Sequence, residues 1–156
     1  MGNSYIARAV HGYSASFIYF VMYITVRGCA GDAGAYKLYK KNEAALRERY
    51  SASYAAGFER LCVGEGDVRP GIYEQLRTLA EQMGRGFEID QRSIPICQEV
   101  VEICEFAGAD PYKIETRAAV ACEEEPSAGA VIIGRATNNN DKIIKVGETR
   151  RYLNRE

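Results

Sequence analysis

The chain has 156 residues, 47% of them apolar, enough for one domain to bury a core without disulfide staples. Its 20 basic side chains stand against 21 acidic ones, so no broad positive field attracts a phosphate backbone, and a nucleic-acid partner is disfavoured. Five cysteines, Cys29, Cys62, Cys97, Cys104 and Cys122, form an odd set with no Cys-x-x-Cys pair, which argues against zinc and for reduced thiols in a cytoplasmic protein.

In chain order, Tyr5 to Val10 and Phe17 to Val26 are rich in β-branched and aromatic residues and predict two neighbouring strands, with Gly12-Tyr13-Ser14 as the turn. The second run is apolar on both parities, as in a strand covered on both faces in the middle of a sheet. It is too short to span a bilayer, which takes ~20 residues. Arg27 stands where a lipoprotein cleavage site ahead of Cys29 wants a small or apolar residue, and Ile6 stands where N-myristoylation wants Ser or Thr. No membrane attachment is expected. His11, the only histidine, falls beside the turn and near no nucleophile motif, so it reads as a turn or strand-end residue.

Gly28-Cys29-Ala30-Gly31-Asp32-Ala33-Gly34 makes a glycine turn after that strand, and the composition through Arg49 favours helix. Ser51 is a candidate cap for a further helix to about Cys62, with Tyr54, Phe58 and Leu61 at helical spacing. Gly64-Glu65-Gly66-Asp67 then breaks the chain. From Gly71, the spacing of Ile72, Leu76, Leu79 and Met83 predicts an amphipathic helix that Gly84 stops. Gly86 to Asp90 alternates as a strand, and Pro95 precedes a helix carrying Val100, Val101, Ile103, Cys104 and Phe106, with Gly108 as its left-handed cap. Cys97 and Cys104 would share one face of that helix as small buried side chains.

Thr116 to Cys122 and Ala130 to Gly134 read as strands across an acidic turn, Glu123-Glu124-Glu125-Pro126. Asn138-Asn139-Asn140-Asp141 then joins the second of them to a strand over Lys142 to Val146, because Asn and Asp tolerate the positive φ of tight turns. Strands and helices come mixed rather than in strict alternation, which predicts an α+β fold with a mixed sheet over one domain, 1–156.

Two turns are candidate anion or phosphate sites. In the first, Gly31, Asp32 and Gly34 follow a strand and open a helix, where backbone N–H groups converge on an anion; a tight structural turn is the competing reading. The sequence there lacks both the Gly-Lys-Ser/Thr ending of a P-loop and the dinucleotide glycine spacing. The second comprises Asp67, Arg69 and Gly71, just ahead of a helix N-terminus, where an acidic residue also serves as a cap and an arginine as a solvated charge. No residue stands out as catalytic and no set as a metal shell. Tyr36, Tyr39, Tyr50 and Tyr54 make an aromatic stripe that reads as core or a subunit contact.

Gly71 to Asp90, continuing into Ile94-Pro95-Ile96, resembles the C-terminal domain of the aminoimidazole ribonucleotide (AIR) synthase-related superfamily. There a glycine-led helix ends in glycine, a strand follows, and an Ile-Pro-Ile-like step opens the next helix. Glu102-Ile103-Cys104-Glu105-Phe106-Ala107-Gly108-Ala109-Asp110-Pro111-Tyr112 resembles the "ICEFFGINPY" phrase of HypE-like members. Tyr23 to Gly34 is similar to the family's strand and "AGLEGT" turn, and Val131 to Thr137 to its late "AVIGKVT" strand. The resemblance covers 23–153, leaving 1–22 as an atypical N-terminal strand region.

Departures from the pattern shape the functional expectation. The family's "HDVSEGG" signature is replaced by Gly66-Asp67-Val68-Arg69-Pro70-Gly71, and Asn154-Arg155-Glu156 stands where HypE ends in its carbamoyl-accepting cysteine. Relatives carry an ATP-binding domain ahead of this one and work as dimers, and no such domain fits in the first 22 residues. The resemblance therefore implies no cofactor for this chain alone, and ATP with magnesium only alongside a partner domain. It implies a cytoplasmic homodimer, or a subunit docked on an ATP-binding partner. A non-catalytic binding or assembly module and half of a split ATP-dependent enzyme both satisfy these expectations, as does a remnant without a role.

Overall fold

The structure, a computed structural model, describes residues 21–61 and 66–153. The first expected strand, its turn with His11, the start of the second strand, Cys62 and Gly64 lie outside the described residues. The elements follow as β1 (Tyr23–Arg27), α1 (Asp32–Lys41), α2 (Glu43–Arg49), α3 (Ala52–Arg60), α4 (Ile72–Met83) and β2 (Phe87–Asp90). After a short 3-10 turn, Gln91–Ser93, come α5 (Gln98–Ala107), β3 (Ala119–Glu123), β4 (Val131–Ala136), β5 (Lys142–Val146) and β6 (Thr149–Tyr152).

The strands form one six-stranded sheet in the order β3-β1-β4-β2-β5-β6. All neighbours are antiparallel except β2 and β5, so the sheet is mixed and the fold is α+β, as expected. β1 lies between β3 and β4, and Ile24, Thr25 and Val26 are all buried, as the unbroken apolar run predicts.

Two cores result. In the first, Ile72, Leu76 and Ala80 of α4 pack on Ile24, Val26, Phe87, Ile89, Ile133 and Ile144 of the sheet. In the second, α1, α2, α3 and α5 pack together through Ala35, Tyr39, Leu46, Phe58, Val100 and Ile103. Each large apolar side chain so buried stabilises the fold by ~1.5–3 kcal/mol. The stretch from Gly71 to Gly108 thus serves two cores, α4 and β2 the first and α5 the second. The tyrosines join the second core: Tyr39 is fully buried, and Tyr50 and Tyr54 meet Phe58 at ring distances of 5.7 and 6.0 Å.

The expected stops hold, since Gly84 and Gly108 end α4 and α5 at φ 66 and 69, in the left-handed region that favours glycine. Four details differ from expectation. The helix expected through Arg49 breaks at Asn42, whose side-chain amide donates to the Leu38 carbonyl at 2.8 Å. The 138–141 turn uses no positive φ and does not join adjacent strands, because β2 lies between β4 and β5. Its asparagine works through the side chain, Asn139 Oδ1 accepting from the Asp141 backbone at 2.9 Å. β3 begins at Ala119, and Thr116 instead makes an isolated bridge with Arg69. β6, unforeseen, folds back on β5 around Gly147 at φ 64.

Candidate functional site

Asp32 is the first residue of α1, and its Oδ1 accepts backbone hydrogens from Ala33 at 2.8 Å and Arg117 at 2.7 Å. A carboxylate at this end of a helix also meets the positive end of the helix dipole. Thr116, fully buried, directs its hydroxyl to the Cys29 carbonyl at 3.0 Å and to Asp32 Oδ1 at 3.3 Å, and accepts from the Ala118 backbone at 3.0 Å. Its backbone is bonded both ways to Arg69, at 2.7 and 3.0 Å. The two glycine-bearing turns singled out in the sequence therefore clasp the same segment, residues 111–118, from two sides.

That clasp accounts for the glycines. A Cβ on Gly31 would lie 2.6 Å from the Pro111 carbonyl oxygen, one on Gly34 2.7 Å from Ile114 Cβ, and one on Gly71 2.4 Å from the Lys113 carbonyl oxygen. The N–H groups opening α1 are taken up by the chain itself. Ala33 gives its hydrogen to Asp32, Gly34 to the Glu115 carbonyl at 2.8 Å, and Ala35 to the Gly31 carbonyl at 2.8 Å. Asp67 and Arg69 have exposed side chains, and the backbone bridge at Arg69 is what connects the second turn to the first.

Beside the first turn lies an open cleft of about 510 Å³, walled by Arg27, Asp32, Arg60 and Arg117 together with the thiols of Cys29 and Cys97. Arg27 donates to the Ala128 carbonyl at 2.9 Å and to the Ser127 hydroxyl, and Arg117 reaches the Leu61 carbonyl at 3.5 Å. Those partners are neutral, and Arg27, Arg60 and Arg117 line the cleft beside the one carboxylate of Asp32, whose Oδ1 is already engaged. Such a wall favours an anionic guest.

The two thiols lie 3.0 Å apart, Cys97 Sγ donating to Cys29 Sγ. Cys97 is the residue capping the N-terminus of α5; it packs half-buried against the second core, which Cys104 enters fully. Burial, and then the bond to Cys29, push the Cys97 thiol up to about 12. No local pattern announces the cleft, because its arginines and thiols come from the end of β1, the end of α3, the start of α5 and the 117–119 segment.

A second hollow, about 350 Å³, opens on the sheet between Tyr23, Glu88, Ile132, Arg135 and Lys145. Ile132 is 46% exposed there. Among the described residues no helix is long and apolar enough to cross a membrane, and no group of three or more His, Cys, Asp or Glu is placed to hold a metal.

No family model matches the chain. It is similar to the carbamoyl dehydratase HypE of Rhizobium leguminosarum bv. viciae, 26% identical over 121 residues that span 70% of this chain and 35% of that protein. The corresponding protein of Rhodobacter capsulatus is 28% identical over 123 residues, 71% of this chain and 36% of its own. Among solved structures, E. coli HypE superposes with a TM-score of 0.60 at 20% identity, over 90% of this chain and 52% of that one. The thiamine monophosphate kinase of Aquifex aeolicus does so at 0.55 and 18%, over 83% and 51%. The chain thus matches about half of each solved structure and less of the curated relatives. Its fold is the one shared by HypE and thiamine monophosphate kinase, the AIR synthase-related fold, and its sequence is similar to that of HypE proteins over about 70% of its length.

Proposed function

We propose that this chain is a HypE-like domain of the C-terminal type that serves hydrogenase maturation as a non-catalytic binding or assembly module, in the cytoplasm, as a homodimer or docked on an ATP-binding partner. The observation that carries this reading is the use made of the two glycine turns. Their backbone donors are taken up within the chain, Gly34 and Arg69 donating to Glu115 and Thr116, and their glycines admit the close approach of residues 111–114, which supports a bracing role over a nucleotide cradle. The half-exposed Ile132 amid charged residues on the open sheet face suits a docking surface. One solved HypE is described in complex with HypF, which supports assembly as a role for relatives. Light scattering on the purified chain, with and without a HypE-type ATP-binding domain, tests the proposal. A dimer or a stable complex is expected, and a chain that stays monomeric and takes no companion overturns it.

The arginine-lined cleft favours a second reading, in which the chain supplies one wall of an ATP-dependent active site completed by a separate ATP-binding subunit. A solved HypE is described bound to ATP. Calorimetry with ATP and magnesium, on the chain alone and on the mixture, separates the two readings. Heat in the mixture that is lost in Arg60→Gln and Arg117→Gln selects the split enzyme, and silence in both samples rules it out.

A further inference from the structure

We propose that Cys29 and Cys97 form a hydroperoxide-responsive thiol pair that closes to an intramolecular disulfide in the wall of the arginine-lined cleft. The inference rests on placement. The sulfurs are 3.0 Å apart, so roughly 1 Å of further approach reaches bonding distance. Both backbones are pinned for that approach: the Ala30 N–H donates to the Pro95 carbonyl at 2.8 Å, tying the two loops together, and the Cys29 carbonyl is held by Thr116. Both side chains also line the cleft and are only partly buried, so a small oxidant reaches them. Cys104, by contrast, is 2% exposed within the second core.

The surroundings assign an order to the chemistry. Cys97 donates its hydrogen to the Cys29 sulfur in the wall of the cleft, which leaves the Cys29 sulfur as the attacking atom and Cys97 as the resolving one. Burial holds Cys97 protonated for the second step. The Cys29 sulfur attacks the terminal oxygen of the hydroperoxide, the O–O bond breaks, and the proton of the Cys29 thiol goes to the leaving oxygen, so an alcohol or water departs as Cys29 becomes a sulfenic acid. The Cys97 sulfur then attacks the Cys29 sulfur, the S–O bond breaks, and the Cys97 proton departs with the hydroxide as water. In sum two thiols are oxidised, one hydroperoxide is reduced, and a reductant such as a dithiol reverses the bond. The product staples the Gly28 to Gly31 turn to the start of α5.

The test treats the purified chain with hydrogen peroxide and maps the product without reduction. The free-thiol titre is expected to fall from five to three per chain. Cys97 and Cys104 share a tryptic peptide, but Glu99 and Glu102 lie between them, so a glutamate-specific protease separates the two sites. The cross-linked fragment is expected to join Cys29 to Cys97 and to part on adding dithiothreitol. Cys97→Ser is expected to leave Cys29 as a sulfenic acid trapped by dimedone, and Cys29→Ser to give no cross-link. An unchanged titre in excess peroxide, or a bond mapped between other cysteines, overturns the proposal whatever the variants do.

Discussion

The Oδ1 atom of Asp32 sits 2.7 Å from the backbone nitrogen of Arg117, joining the start of α1 to a segment 85 residues further along the chain. The same oxygen serves the Ala33 N–H and the Thr116 hydroxyl, so one carboxylate organises three donors. Asp32→Ala strands the Ala33 and Arg117 N–H groups in a partly buried place, while Thr116 keeps the Cys29 carbonyl, and is expected to lower stability by about 2–3 kcal/mol, read from the urea midpoint. Asp32→Asn keeps an acceptor but loses the charge, and should fall between the variant and the parent.

Gly71 and Gly108 are both glycines at helix ends, held for different reasons. A Cβ on Gly71 meets the Lys113 carbonyl oxygen at 2.4 Å, backbone that cannot swing aside, whereas Gly108 has open space and a φ of 69. Gly71→Ala is expected to cost about 3 kcal/mol, the upper range for overpacking. Gly108→Ala should cost only the left-handed backbone penalty of roughly 1–2 kcal/mol. Thermal melts of the pair give the order, and equal losses would contradict the clasp.

Tyr39 is fully buried, with its hydroxyl donating to Glu59 Oε2 at 2.5 Å. Burial first, and then that bond and the Glu59 charge, raise its pKa above the ordinary tyrosine value. In the unfolded chain the phenol ionises near ~10, while in the folded chain it stays protonated beyond that. Its contribution is therefore complete below pH ~10 and is lost as pH climbs above it. Tyr39→Phe is expected to cost about 1 kcal/mol at neutral pH and to flatten the alkaline fall in stability. Burial raises Tyr73 in the same direction, so part of the slope should remain.

Ser51 occupies the cap position of α3, yet its hydroxyl pairs with Ser53 at 3.0 Å and makes no bond to the helix backbone. Where a working serine cap is worth about 1 kcal/mol, Ser51→Ala should change the urea midpoint by less than ~0.5 kcal/mol.

The elements most legible in the sequence are those whose signals are local. α4 carries its apolar period and its glycine stop within a dozen residues, and β2 and α5 likewise declare themselves between Gly86 and Gly108. β6 did not, because Thr149-Arg150-Arg151-Tyr152 shows no inward face: every residue of this edge strand is exposed. The glycine turns were visible as unusual, but the reason for Gly31, Gly34 and Gly71 resides in Pro111, Lys113 and Ile114, tens of residues away. Read locally, a glycine demanded by a close chain crossing looks the same as one left open for an anion. The arginine-lined cleft was illegible for the same cause, since Arg27, Arg60 and Arg117 become neighbours only through the fold.

Thr25 pairs with Ala121 and Ile132, so the earliest described strand finds its two neighbours only about a hundred residues further along the chain. On a ribosome, the Tyr23–Arg27 strand emerges before helices α1 to α5 and before both strands it pairs with in the sheet. Helices α1 to α5 can collapse on one another in that interval, while the sheet closes late and, by its long loop closures, slowly. An apolar strand that emerges this early is a natural point of contact for a chaperone.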